Sequence, residues 1–169
     1  MERKIFIRDC LFHMALFIVV LVVDQVTKLW ARTVLPGAPI DVWKNVFSFR
    51  LIYNTGASFG IFRNHTLALT IFSIVGMLAI SIFYFLLPKT KKMRPMRLTL
   101  TMIVAGGFGN IIDRVLFGKV TDMFSFDLIN FPVFNVADIG VTCGAIVMCI
   151  LWLFYYKDED FSKWKKLNS

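Results

Sequence analysis

Residues 67–87 carry no charged side chain, and a run of that length matches the roughly 20 apolar residues a helix needs to cross a hydrocarbon layer about 30 Å thick. That stretch fixes the solvent in which the chain must fold. Three further runs, at about 11–30, 98–117 and 139–156, are also predominantly apolar, and 57% of all residues are hydrophobic against 18% charged, far from the balance of soluble domains. Hydrocarbon offers the backbone no hydrogen bonds, so each run is predicted to satisfy itself as a helix. The expected fold class is an all-α membrane protein with four transmembrane helices and a small extracytoplasmic β-sheet subdomain. All of 1–169 is read as a single membrane-embedded domain.

The short segment PKTKKMRPMR, residues 88–97, holds Lys89, Lys91, Lys92, Arg94 and Arg97 and no acid. Short basic loops stay in the cytoplasm, so four spans put both termini there as well. The basic residues Arg3, Lys4 and Arg8 at one end and Lys157, Lys163, Lys165 and Lys166 at the other agree. Segments 31–66 and 118–138 then share the outer side. This topology accounts for the net charge of +8, and no nucleic-acid motif accompanies the basic residues, so no nucleic-acid partner is expected. The first run begins like a signal peptide, but Asp24, Gln25 and Lys28 stand where cleavage needs small residues, and an uncleaved first helix is expected. Cys10, Cys143 and Cys149 show no CxxC or Cys-His pattern and are read as small apolar side chains without a bridge.

Polar residues collect at the borders of the spans. Asp24 and Lys28 lie one helical turn apart and are expected to pair as a structural anchor, and His13 is read as a packed histidine. In the 31–66 segment, Pro36, Gly37 and Pro39 break the helix, and VFSFRLIYN (46–54) alternates in the manner of a strand. The strand runs into NTGASFG (54–60), where Gly56 permits a tight turn beside Asn54. At 100° per residue, Gly106, Gly107, Asn110, Asp113 and Arg114 share about a third of the third helix, while Ile111, Ile112 and Val115 fall outside this stripe. The glycines admit a neighbouring helix, and Arg114 is expected to meet Asp113 or a loop carbonyl.

Asp122 and Asp138 are set among Phe124, Phe126, Phe131 and Phe134, a dry wall at the membrane surface. Two carboxylates brought within hydrogen-bonding distance share one proton. One can then accept a proton from water while the other donates to a carbonyl oxygen, which is peptide hydrolysis without a covalent nucleophile. Asp138 also stands where it would cap the fourth helix, and the bland alternative makes it only a cap and Asp122 a loop acid. No HExxH, no GxSxG and no histidine pair occurs, so no metal is expected. A rival is a small ion-coupled transporter with Asp24, Asp113 and Arg114 along a pathway, although these residues lie towards span ends and not at the midplane. A second rival is a noncatalytic assembly factor held together by the same polar face.

Taken together, DQVTK (24–28), NTGASFG, GNIIDR (109–114), VTDMF (120–124) and FNVAD (134–138) stand in the order found in bacterial lipoprotein signal peptidases, or signal peptidase II. The chain resembles that family over nearly its whole length. The resemblance implies that Asp122 and Asp138 are the catalytic dyad. It implies that Asn54, Gly56, Asn110, Arg114, Asn135 and Ala137 line or support the substrate site, with Asp24, Lys28 and Asp113 structural. It further implies an aspartyl endopeptidase of the bacterial cytoplasmic membrane, with its active site at the extracytoplasmic face. Such an enzyme removes the signal peptide from diacylglyceryl-modified prolipoproteins, cutting before the lipidated cysteine. No cofactor is implied, the partners are the prolipoprotein and membrane lipids, and a monomer is expected. Met123 replaces a common Phe, Ser58 a common Ala and Ile139 a common Ser, differences that touch the pocket and not the dyad. The topology has a direct test: a reporter fused after Lys92 should face the cytoplasm and one inserted near Asn64 should face outward, and the reverse labelling would refute the shared-face reading.

Overall fold

The computed structural model describes residues 2–56 and 65–161, so the part of NTGASFG beyond Gly56, including Ser58, lies outside the described residues. Among the described residues, four helices are each long and apolar enough to cross a membrane. They are α1 (Glu2–Val34), α2 (Thr66–Leu86), α3 (Arg94–Phe117) and α4 (Val136–Phe154). Three strands, β1 (Ile40–Trp43), β2 (Phe47–Asn54) and β3 (Val120–Phe126), complete the architecture as one antiparallel sheet in the order β1-β2-β3.

The hub is α3, against which α1, α2 and α4 all pack. Its glycines explain how one helix serves three neighbours. A Cβ on Gly106 would collide with the Ala137 carbonyl of α4, one on Gly107 with Met77 Sδ of α2, and one on Gly109 with the Asp24 carboxylate of α1. The common face expected for Gly106 and Gly107 is therefore corrected: the small residues point to different partners, and Ile111, placed outside the stripe, is buried, while Asn110, Asp113 and Arg114 face inward as expected. A helix enclosed on several sides has no need of an apolar face for lipid, which is why its membrane-spanning stretch is the least apolar of the four. By contrast α2 exposes Leu67, Ile71, Phe72, Val75, Ile82 and Phe85, as a helix facing hydrocarbon should.

At one end of the bundle the 88–93 connection is closed by Arg97. This side chain is buried, and it donates from Nη1 to the Pro88 carbonyl and from Nη2 to the Thr90 carbonyl, both at 2.9 Å. Beneath it Leu87, Met93, Met96, Leu100 and Tyr156 form an apolar cluster. One of the basic residues that mark this loop thus works as a fastener for its backbone carbonyls.

The sheet sits at the opposite end. Gly118 adopts φ 68°, a left-handed C-cap that turns the chain from α3 directly into β3. Met123 of β3 packs on Ala31 of α1 and on Leu35 just past its end, with Trp30, Phe49, Leu51 and Phe124 around them. Asp127 locks the far edge, accepting from Ser48 and Ser125 at 2.7 Å each and pairing with Arg50 at 2.8 Å. The sequence pattern predicts one strand at 46–54 and a Phe-rich connection after α3, but the connection begins with β3. Residues Val120, Thr121, Asp122 and Met123 are all buried, so β3 is covered on both faces and lacks the alternation that marks a half-exposed strand. Its register pairs Phe49 with Phe124, Ile52 with Asp122 and Asn54 with Val120, which brings Asn54 beside the first acid.

The contact between α3 and α4 yields a stability prediction. Gly106→Ala forces a methyl group against backbone at Ala137 and against Val141, and overpacking of this kind costs about 1–3 kcal/mol. Thermal unfolding in detergent should show a lowered midpoint for this variant, whereas Gly76→Ala, inside α2 where nothing lies within 4 Å, should melt no lower than the parent and, by helix propensity, slightly higher.

Candidate active site

The site is assembled on a buried ionic knot. Lys28 of α1, with no exposure at all, lies 2.9 Å from Asp24 and 3.8 Å from Asp113, and its Nζ donates to the Gly109 carbonyl at 3.3 Å and to Asn110 Oδ1 at 2.9 Å. A charge without water is tolerated only when its hydrogen-bonding capacity is filled, and here α1 and α3 fill it together. Asp24 reaches further, accepting from the Ala137 backbone N–H at 2.9 Å and so anchoring the start of α4, while Gln25 donates to both Asp24 and the Gly109 carbonyl. Asp113 accepts from the Thr121 backbone N–H at 2.8 Å, and Arg32 donates to Thr121 Oγ1 at 3.0 Å while facing Asp113 at 3.5 Å. The residue before Asp122 is held on two sides.

The two acids are positioned by asparagines. Asn135 caps α4: its Oδ1 accepts from the Asp138 backbone N–H at 2.9 Å, and Asp138 Oδ2 accepts from the Asn135 backbone N–H at 3.2 Å, a reciprocal capping box. Asp138 is thus the third helical residue, and the expectation that it caps the helix itself is corrected. The Asn135 amide donates to Asp122 Oδ1 at 2.7 Å, to Asn110 Oδ1 at 3.1 Å and to the Thr121 carbonyl at 3.3 Å. Asn110 donates to Asp138 Oδ1 at 2.8 Å, and Asn54 donates to Asp122 Oδ2 at 3.3 Å. Because Asn110 Oδ1 already accepts from Lys28 and Asn135, its NH2 must turn towards Asp138.

A pocket of about 350 Å³ opens over both carboxylates, and Asn54, Asn110 and Arg114 complete its polar wall. Its apolar side comes from residues 131–134 and from Ile139, Thr142 and Cys143 of α4. Phe134 is tied to β3 by paired backbone bonds with Phe124, at 2.9 and 3.1 Å. Phe124 and Phe126, expected in the wall, instead stand behind it on the sheet, each stacked or tilted against Phe134 with ring centroids within 5.7 Å. Arg114 donates to the Gly56 carbonyl at 3.3 Å, the loop carbonyl of the two partners expected for it, and its Nε is buried without a partner. Gly56 is buried in a turn whose N–H donates to Asn54 Oδ1 at 2.9 Å.

Asp122 is only 2% exposed. Burial first, and the neighbouring Asp138 charge second, push its carboxyl from the ordinary 3.8 up to about 7, against the opposing pull of the Asn135 and Asn54 hydrogen bonds. Among the described residues no three His, Cys, Asp or Glu side chains gather in a way that would hold a metal ion.

Of the residues singled out in the sequence, Asn54, Asn110, Arg114, Asp122 and Asp138 line the pocket. Asn135 and Ala137 are fully buried and do not line it: Asn135 binds Asp122, and Ala137 packs on Gly109 and bonds Asp24. Arg32, Thr121, Gln25 and Gly109 take part in the network without having been singled out. Asp24, Lys28 and Arg32 recur at four-residue spacing on one face of α1, so the continuation of the ion-pair stripe to Arg32 was available as a signal.

These findings meet the comparisons with known proteins. The family model described as Signal peptidase (SPase) II matches residues 16–154. A lipoprotein signal peptidase of Clostridium tetani is 37% identical over 154 residues, covering 88% of this chain and 96% of its own length. One of Microcystis aeruginosa is 39% identical over 132 residues, covering 77% and 84%. A solved bacterial membrane enzyme superposes with a TM-score of 0.75 at 28% identity, covering 90% of each chain. The ion-coupled transporter is not supported: these relatives are peptidases by name, and Asp24 and Asp113 are closed off in hydrogen bonds to buried backbone.

The raised Asp122 carboxyl sets a sign for stability against pH. A carboxyl whose folded pKa exceeds its unfolded value contributes fully below about 3.8 and loses that contribution as pH rises towards about 7, because burial of the charged form is costly. The melting temperature in detergent should therefore fall between about pH 4 and pH 8, and Asp122→Asn should flatten that slope. An unchanged slope in the variant would show that Asp122 is not the group responsible.

Proposed function

The chain belongs to the signal peptidase II family, and from that premise we propose that it cuts diacylglyceryl-modified prolipoproteins immediately before the lipidated cysteine, with Asp122 and Asp138 as the catalytic pair. It is a peptidase that removes signal peptides from prolipoproteins in the membrane. The observation that carries the finer reading is that two carboxylates line one pocket at the sheet end of a membrane bundle, one of them with a carboxyl raised to about 7.

The roles follow from the two settings. Asp122, enclosed and proton-holding near neutrality, donates its proton to the scissile carbonyl oxygen. Asp138 receives N–H donors from Asn110 and Asn135 at the positive end of α4, a setting suited to a carboxylate that accepts a proton from water. The water oxygen bonds to the carbonyl carbon and gives a gem-diol. Asp138 then returns its proton to the leaving nitrogen while Asp122 recovers one from a diol hydroxyl, the C–N bond breaks, and both acids end as they began. Arg114, with an unpartnered Nε, is placed to hold a substrate carbonyl. Residues 131–134 with Ile139 offer the apolar side along which the lipid-bearing part of the substrate rests. The protein sits in the bacterial cytoplasmic membrane with both termini inside and this pocket at the outer face, a reading supported by the basic 88–97 loop at the other end of the bundle. It works as a monomer, without a nucleic-acid partner.

Incubation of the purified protein with a lipid-modified prolipoprotein in detergent provides the test. Asp122→Asn and Asp138→Asn should each slow cleavage by roughly 10²–10⁴-fold or more, the worth of a positioned acid or base, and a strong chelator should leave the parent rate unchanged. Cleavage that persists in both variants would remove the dyad from the chemistry.

A further inference from the structure

A second cavity, of about 390 Å³, lies away from the acids, between α1 and α2 with α3 as its floor. Both helices pack on α3 and scarcely touch each other, which leaves the groove between them. Its walls are Phe17 of α1, Phe85 of α2 and Leu100, Val104 and Phe108 of α3. Towards the 88–97 loop it ends in a polar shelf, where His13 Nδ1 and Tyr84 Oη lie 2.7 Å apart and Tyr84 also meets Cys10. Below the shelf the same stripe of α1 continues to Asp9 and Phe6. Arg94 Nε donates to Asp9 at 2.6 Å, Lys89 Nζ lies 4.8 Å over the Phe6 ring, and Arg97 Cζ lies 5.6 Å from it. Two buried donor atoms on this rim, Arg94 Nη2 and Arg97 Nε, have no hydrogen-bond partner, and Arg97 is only 1% exposed.

The dimensions select the occupant. From Phe6 to Phe17 the stripe rises about 16 Å at 1.5 Å per residue, close to half of the roughly 30 Å hydrocarbon thickness. That is one leaflet, the depth of one acyl chain. The apolar part is dressed with aromatic rings, the shelf supplies polar atoms where a chain ends, and the rim is cationic, with its acid Asp9 already held by Arg94.

We propose that this groove binds an anionic phospholipid, with one acyl chain between α1 and α2 and the phosphate against Lys89 and Arg94. The site does not rest on the peptidase mechanism, and it occupies the end of the bundle remote from Asp122 and Asp138. Bound lipid fills the groove between two helices joined at the His13–Tyr84 shelf and reaches the donor left open on Arg94.

Native mass spectrometry of the full-length protein, released from detergent after incubation with phosphatidylglycerol and phosphatidylcholine of identical chains, tests this. The parent should retain phosphatidylglycerol about fivefold or more over phosphatidylcholine, since each basic residue near an anionic lipid contributes about that factor. Lys89→Gln, a change at an exposed side chain, should lower the preference, and Lys89→Gln with Arg94→Gln should bring it to parity. Val104→Trp, which fills the groove and leaves the charges alone, should reduce retention of both lipids. Equal retention by the parent, a preference undiminished in the double variant, or phosphatidylglycerol retention unaffected by Val104→Trp would each overturn the proposal. If the double variant fails to fold, the Lys89→Gln and Val104→Trp results still decide it.

Discussion

The buried ammonium of Lys28 is the constraint around which the sheet end of the bundle is arranged. It has no access to water, so its charge has to be answered by Asp24, Asp113, the Gly109 carbonyl and Asn110 together. Each of the three side-chain partners has a second task. Asp24 holds the first turn of α4 through Ala137, Asp113 holds the first residues of β3 through Thr121, and Asn110 holds Asp138. Removing one partner from such a knot leaves an uncompensated charge in a low-dielectric interior, a penalty of several kcal/mol, so its members act as a unit and not as separate ion pairs. Close approach is a condition for this. Gly109 has no side chain because the Asp24 carboxylate occupies the place where a Cβ would stand.

Carboxylates at a membrane border face two conflicting demands. They must be dry enough for one to keep a proton near neutral pH, yet fixed well enough for their oxygens to address one bond. The asparagines meet the second demand without defeating the first. Asn135 and Asn54 hold Asp122 by neutral donors, which restrain its geometry but pull its carboxyl down less than burial and the Asp138 charge push it up. An arginine in the same positions would supply stronger bonds and abolish the proton. Arg114 is kept in the pocket wall, bonded to the Gly56 carbonyl and not to either acid by a hydrogen bond in the network described above.

What was legible in the sequence follows from what the solvent enforces. Hydrocarbon demands continuous apolar runs, so the four helices could be read from composition and length, and the resemblance carried by five motifs placed the acids in a known order. The sheet was half legible: β2 alternates and was read as a strand, while β3, buried on both faces and paired with a segment far upstream, shows no period that a local window detects. On α3 the polar end was read correctly, with Asn110 and Arg114 on the pocket and Asp113 buried, while the single glycine face failed for a related reason. A helix surrounded by partners obeys several interfaces at once, so Gly106, Gly107 and Gly109 look like one cluster in the sequence and serve α4, α2 and α1 in space. Arg32 was missed because a charge past the end of an apolar run is ordinarily solvated, and only the distant Thr121 and Asp113 give it a buried purpose.

The difference between the two acids lies in their backbones. Asp138 belongs to a helix start, where the capping box ties its side chain to the Asn135 N–H and the helix ends its free amides nearby. Asp122 belongs to a strand, whose own amides are committed to the sheet, so its carboxyl depends on side-chain donors alone. Two chemically identical groups therefore meet at one pocket with unequal electrostatic support. That inequality exists before any substrate arrives, and it is set by joining α3 to β3 through Gly118 on one side and by capping α4 with Asn135 on the other. A symmetric arrangement, with both acids on helix starts or both on strands, would give the two carboxyls equal support. The mixed architecture leaves Asp122 as the carboxyl pushed up to about 7.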